Sequence, residues 1–510
     1  MIHPGLPEFW VYVVWCFMLA LALWGLARPA VADNGGGYAS PANTSLITPL
    51  TRIFTHSGLP LLLLKLIMVA LFALVIFAGL YGTPLPEQNI ATVLTWNIWW
   101  AGLILSIFFL GSSWCAVCPW DTLASWLVKP KLWFTRRISN SLELTPPAWL
   151  RSVWPALILF IGLTWLELGV GVTTSPYATA MLALLMVVLA TITLAIYKNK
   201  AFCHYICPIG RTVGFYSQLA PVELRPIDSD ICAKCTTLEC YNGNGVVDPC
   251  PTQLVMGRLQ QNTYCTSCGN CVKSCPDHNV AWRLRPHGYE TSHSARPRID
   301  EAWFMLILLA TTAFHGITMM EFWEEWLRGF AQRIGDSGQL LMSFSSGLII
   351  SIIIPVALYS LSVAITRHYT HAQISFKKLF TGMVFITLPL AFSYHLAHNL
   401  NHLVREGSGA IGLFSNPLGL GAQPMSDSEI LAKHLSPIVS ESVVFTAQGL
   451  LMMFGFWLAI RIMRHRALAL LPGVGWRLFP FIVFILSVHG FHLWMLSQPM
   501  IMRIGLCIVP

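Results

Sequence analysis

Charge is what this chain has least of. Only 11% of its 510 residues are Asp, Glu, Lys or Arg, against about 25% in an ordinary soluble domain. Hydrophobic residues make up 55% and mean hydropathy is +0.62. That is too much apolar surface for one water-soluble globule, so the chain reads as a multi-span membrane protein. A basic patch is missing too. The 31 Lys and Arg exceed the 23 Asp and Glu by +8, but they are spread over short loops. That argues against a nucleic-acid binder and in favour of an orientation signal. No solenoid repeat is visible, and no pair of inverted repeats or midplane-broken helices points to a transporter. The segment before the first apolar run has no Lys or Arg. Ala30-Val31-Ala32 therefore reads as the flank of an uncleaved first helix rather than a signal-peptide cleavage site.

Repeated apolar runs of about 20 residues are present, each long enough for a hydrocarbon core of about 30 Å. Ten spans are expected, at about 9–28, 58–82, 91–112, 153–172, 177–197, 301–320, 340–366, 377–402, 440–463 and 478–500. The expected fold class is an all-α polytopic membrane protein with a small α+β insert. Its expected units are 1–112, 113–152, 153–200, 201–297 and 298–510. Lys129, Lys131, Arg136, Arg137 and Arg151 follow span three, and Lys198, Lys200 and Arg211 follow span five. Arg367, Lys377 and Lys378 separate spans seven and eight, and Arg461, Arg464, Arg466 and Arg477 separate nine and ten. The positive-inside rule makes that side cytoplasmic and puts both termini outside. Outer loops are expected at about 321–339 and 403–439. Lys65 and Glu167 lie near span ends, where snorkelling is the expectation.

Eight of the 14 cysteines fall between Cys232 and Cys275. Cys265, Cys268, Cys271 and Cys275-Pro276 have the C-x2-C-x2-C-x3-C-P spacing of bacterial ferredoxins, and Cys232, Cys235, Cys240 and Cys250-Pro251 form a distorted second copy. In that pattern the fourth cysteine serves the other cluster. The expected sets are Cys232, Cys235, Cys240 and Cys275, and Cys265, Cys268, Cys271 and Cys250, each on a 4Fe–4S cluster. Four-thiolate zinc sites are the alternative, and they leave the two Cys-Pro endings unexplained. Disulfides do not suit a reducing cytoplasmic side.

Two further pairs sit where spans meet that side. Cys115 and Cys118-Pro119 follow span three, and Cys203 and Cys207-Pro208 follow span five. One topology places all four thiols at one depth, as a third cluster, a thiol–disulfide pair or a copper(I) site. Cys16 and Cys507 are isolated.

These features together resemble the membrane polyferredoxins that occur with periplasmic nitrate reductase, nitrous oxide reductase and the cytochrome oxidase accessory system. The resemblance covers about residues 58–290. It implies 4Fe–4S binding, electron transfer at the bacterial inner membrane and association with respiratory enzymes or their maturation. One departure is that Cys115 and Cys118 are separated by two residues rather than three. The last four spans have no counterpart in the short nitrate-reductase relatives.

Those last spans carry histidines instead. His395, His398 and His402 share one helical face by their offsets, His489 and His492 lie three apart, and His315 is in span six. Imidazoles within spans face a bundle interior or a partner. The readings are haem b, copper or another metal, quinone or proton work, or hydrogen-bonded structural histidines, with inward packing expected for at least four. His368, His371 and His465 are expected in solvated cytoplasmic loops. The functional expectation is a membrane iron–sulfur electron carrier joining a respiratory reductase, oxidase, cytochrome or quinone pool. The alternative is an accessory copper reductase for oxidase maturation. No catalytic base or nucleophile is evident.

Overall fold

The computed structural model describes residues 2–28, 58–130, 139–336, 340–371, 373–426, 429, 439–471 and 475–501. Ala30-Val31-Ala32, Cys507, Lys131, Arg136 and Arg137 lie outside them. Eight helices among the described residues are long and apolar enough to cross a membrane: Glu8–Ala27, Leu59–Tyr81, Ile90–Val128, Pro176–Ile196, Leu341–Tyr369, Phe376–Glu406, Glu441–Leu470 and Trp476–Ser497. The other two expected spans take a different form. Trp154–Val170 is shorter, an α-helix that widens into a π turn at Leu166–Val170. Ile299–Ile317 is helical but opens on buried Asp300 and Glu301.

Helix starts follow local chemistry. Proline occupies an opening position at Leu59, Trp154, Pro176 and Phe479, where its missing N–H leaves no donor unsatisfied. Ser175 and Ser375 accept from Ala178 and Lys378, capping their helices.

Burial separates centre from rim. The Phe376–Glu406 span is 94% buried and Leu59–Tyr81 only 11%, so the first is the axis of the bundle and the second a lipid-facing wall. The axial helix runs against Glu441–Leu470. A Cβ on Gly455 would lie 2.1 Å from Ser393 Oγ, so only glycine permits that approach. The pairing is antiparallel. Arg405 meets Glu441 at one end, and Arg466 donates to the carbonyls of Thr291 and Ala295 at the other. By helical rise those two ends are about 38 Å apart.

The cysteine-rich insert packs at the Arg466 end. Strands Val222–Pro226 and Val280–Leu284 pair antiparallel, with Leu224 opposite Trp282, and short helices Ser229–Lys234 and Asn270–Ser274 carry cysteines between them. The opposite end holds a two-residue ladder of Ile2–His3 with Met500–Ile501. Both described ends of the chain therefore share the face away from the insert.

Three loop expectations need correction. Residues 321–339 are not simply a loop: Glu321–Ile334 is a helix that buries Trp323, Leu327 and Ala331 and exposes Glu324 and Arg328. His368 closes the Leu341–Tyr369 helix. His465 is half-buried in Glu441–Leu470, 3.0 Å from the Ser292 carbonyl and in ring contact with His293. Its position is set by the docked insert, which sequence periodicity does not register.

Candidate functional site

The insert brings the cysteines of its two motifs together crosswise. Asn279, just past the second motif, donates its backbone N–H to Cys275 Sγ and its side-chain Nδ2 to Cys232 Sγ, each at 3.3 Å. One residue thus ties the last cysteine of one motif to the first of the other. Burial pushes the Cys240 thiol up, and the nearby Cys232, Cys235 and Cys275 push it further. Cys232 likewise senses Cys275 and Cys235.

The second group lines one small pocket, with Cys250, Cys265, Cys268 and Cys271 beside Leu224, Leu254 and Met256. Burial raises the Cys265, Cys268 and Cys271 thiols, Cys265 to about 12. Backbone N–H groups of Leu254 and Ser267 donate to Cys250 and Cys265 at 3.3 and 3.4 Å. Buried, uncharged thiols are poised to deprotonate when a metal supplies the compensating charge. Amide donors aimed at sulfur are a means by which a protein tunes an iron–sulfur centre.

All 13 described cysteines are free. No three of their thiols lie within 4.8 Å of one another. A tetrahedral zinc site with bonds of about 2.3 Å would hold its sulfurs about 3.8 Å apart.

The membrane-edge cysteines also converge. Cys203 is half-buried and senses Cys207 and Cys115, and buried Cys118 senses Cys203 and Cys207. Sequence reading missed the charged groups around them. Asp121, buried beside Cys118, pairs with Lys200 and lies 3.4 Å from Cys203 Sγ. Arg211, 2% exposed, donates to the carbonyls of Cys203 and Thr263 and so pins the edge pair to the insert. Lys65 lies within electrostatic range of Lys200, Asp121 and Cys268. The only sequence signal for these groups was acidic or basic residues beside Cys-Pro.

An apolar cleft of about 890 Å³ adjoins the edge pair. Trp96, Trp99, Trp100, Trp114 and Trp120 line it, with Glu167 on its wall. Two π-helical turns, Val93–Trp100 and Leu166–Val170, border it. Such turns occur often at functional sites.

The histidines divide into separate environments. His395 faces Trp100 and Tyr216, its Nδ1 3.3 Å from the Tyr216 hydroxyl. His398 meets His315 and His402, and His492 stacks on Tyr394. His489 Nε2 donates to the Met452 carbonyl at 2.8 Å. This packing does not fit a haem. His398 and His402 touch through their Nε2 atoms at 3.0 Å. Tyr394, His398, His402, His489 and His492 pack ring against ring instead of flanking a slot for a macrocycle.

A 4Fe-4S binding domain model matches residues 92–141 and 179–220. Those segments contain Cys115, Cys118, Cys203 and Cys207 and stop before the insert. The chain is also 30% identical over 134 residues to the Escherichia coli (strain K12) protein named "Putative electron transport protein YccM". That alignment covers 26% of this chain and 34% of the relative's length. No solved structure matches.

Proposed function

We propose that this chain is an iron–sulfur electron-transfer protein of the bacterial inner membrane. Cys232, Cys235, Cys240 and Cys275 hold one 4Fe–4S cluster, and Cys265, Cys268, Cys271 and Cys250 hold a second. Cys115, Cys118, Cys203 and Cys207 hold a third centre. The observation that carries the reading is the crosswise grouping of the insert, with Asn279 joining Cys275 to Cys232 and four thiols lining one cavity. Similarity to the 4Fe-4S binding domain at the edge pairs and to an electron transport protein supports it.

When bound, such clusters supply one-electron carriers whose potentials depend on hydrogen bonds to sulfur and on exposure. Leu254, Ser267, Gly210 and Asn279 provide those hydrogen bonds. Lys200 and Arg211 set positive charge beside the edge thiols. The insert lies on the cytoplasmic side and the paired chain ends face the periplasm. The tryptophan-lined cleft beside Trp114 and Pro119 suits an apolar ring, which makes a membrane quinone the partner closest in chemistry to the site.

Replacing Cys275 by Ser tests the assignment. It should remove the iron, sulfide and EPR signal of the cluster shared with Cys232, Cys235 and Cys240. Cys250→Ser should remove the other. Loss of the cluster of the substituted residue's own motif, in either variant, would overturn the exchange.

A further inference from the structure

The histidine end of the bundle contains a second donor set of different chemistry. His398, His402 and Glu406 stand four residues apart on the axial helix, so their side chains form one ladder along one face. His402 Nδ1 lies 2.8 Å from Glu406 Oε1. His3 comes to the same carboxylate from the far end of the sequence, its Nε2 4.0 Å from Glu406 Oε1. One ligand atom from each of His3, His402 and Glu406 falls within 4.8 Å of the others, and all three residues are buried. His398 lies behind them, Nε2 to Nε2 with His402 at 3.0 Å.

We propose that His3, His402 and Glu406 bind a divalent first-row transition-metal ion, with His398 packed against the outer ring nitrogen of His402 as a supporting partner. The inference stands independently of the cluster reading, since the two donor sets lie at opposite ends of the axial helix. Three observations carry it. First, the spacing fits. A tetrahedral site with nitrogen and oxygen ligands at about 2.1 Å has donor–donor edges of about 3.4 Å, and the observed 2.8 and 4.0 Å fall on either side of that value. A small shift of side chains alone would centre an ion. Second, the charge fits. Glu406 is 6% exposed, and the ion pairs it makes are with two imidazoles. Arg405, beside it in sequence, is engaged by Asn401 and Glu441 instead. A buried carboxylate is stable only with a compensating positive charge, which a divalent ion supplies.

Third, the framework is built. Leu6 N–H donates to the Leu496 carbonyl at 2.7 Å. A Cβ on Gly5 would lie 2.1 Å from the Ser497 carbonyl. With His3 paired to Met500, these contacts hold the first residues against the last helix and aim His3 at the axial one. Imidazole and carboxylate donors, with no thiolate among them, select divalent ions of the zinc, manganese, iron(II), cobalt and copper(II) class over copper(I).

The test uses the full chain, purified in detergent with its clusters and then dialysed against cobalt(II). Wild type should retain about one cobalt beyond its cluster metal, with the visible absorption of a low-coordinate nitrogen–oxygen site. Glu406→Gln and His402→Gln should each weaken cobalt binding at least about 100-fold while cluster iron, sulfide and EPR signals stay unchanged. His3→Asn lies outside the axial helix and should weaken binding without disturbing that helix, so it decides the matter if a helix variant fails to fold. Wild type that retains no cobalt, or His3→Asn that binds it undiminished, would overturn the site. Because cluster signals are measured separately, failure here and failure of the electron-transfer reading are distinguishable.

Discussion

The two ends of the bundle bury polar groups in opposite ways. At the cysteine end, formal charges are packed together. Arg285, with its side chain fully buried, reaches Glu223 and Glu290, and Arg225 joins the same two carboxylates. Arg285 also donates to the carbonyls of Ser217 and Ala220, at the base of the insert. At the histidine end the buried polar side chains are dominated by imidazoles, packed edge to face on one another and stacked on tyrosine, with Glu406 and Arg405 beside them. The lesson is one of dielectric and mobility. A protruding insert needs directional, many-bonded anchors, whereas closely packed apolar helices are already held by their own contacts and leave room for imidazole donors.

The comparison is broken most forcefully at Arg285. Arg285→Ala leaves two carboxylates buried with fewer partners, a loss of about 3–5 kcal/mol. Denaturant unfolding in detergent, followed by bleaching of cluster absorbance, should show the insert end melting first. Equal melting of both ends would mean the arginine network does not anchor the insert.

A smaller effect should come with acid. Burial holds His287 below its ordinary value, partly offset by the hydrogen bond from its ring to the Leu219 carbonyl. A histidine with a depressed folded pKa favours folding at neutral pH. That contribution is lost as pH falls below the unfolded value of about 6.5, because the unfolded chain then takes up the proton more readily. His287→Leu should therefore flatten the decline in insert stability on the acid side of pH 6.5, measured as the unfolding midpoint against pH. An unchanged slope would assign the acid sensitivity elsewhere.

What could be read from sequence, and what could not, follows from the range of each signal. Apolar runs are local, so Leu59–Tyr81 and Pro176–Ile196 emerge close to their expected bounds. Cysteine spacing is local as well, and it supplied the grouping of thiols that the proposed clusters use. Long-range placement left no such trace. Asp121 and Lys200 are 79 positions apart and meet only because two spans end at one depth. Glu406 was passed over because the expected span stopped at residue 402, one turn before the helix ends. His3 had no periodic pattern at all; its role depends on a two-residue ladder between the chain's far ends. His395 shared a face with His398 by arithmetic, yet the wide π turn that carries Trp100 draws it to a different neighbour.

The smallest effect expected is at Arg328, and it isolates burial from geometry. Arg328 and Glu324 stand four apart on the Glu321–Ile334 helix, with glutamate first, the favourable order along a helix. Their 2.6 Å contact equals that of Arg283 with Glu223 at the cysteine end. Yet the two side chains are 63% and 61% exposed. Water screens the attraction, and fixing two long side chains costs rotamer entropy, so such pairs contribute a few tenths of a kcal/mol. Arg328→Ala should shift stability by less than about 0.5 kcal/mol, and raising salt should erase even that. The same truncation at Arg285 should persist in salt, because its partners never meet the solvent. A large loss at Arg328 would show that the Glu321–Ile334 helix is covered in the working protein, and that its exposed arginine is buried against a partner.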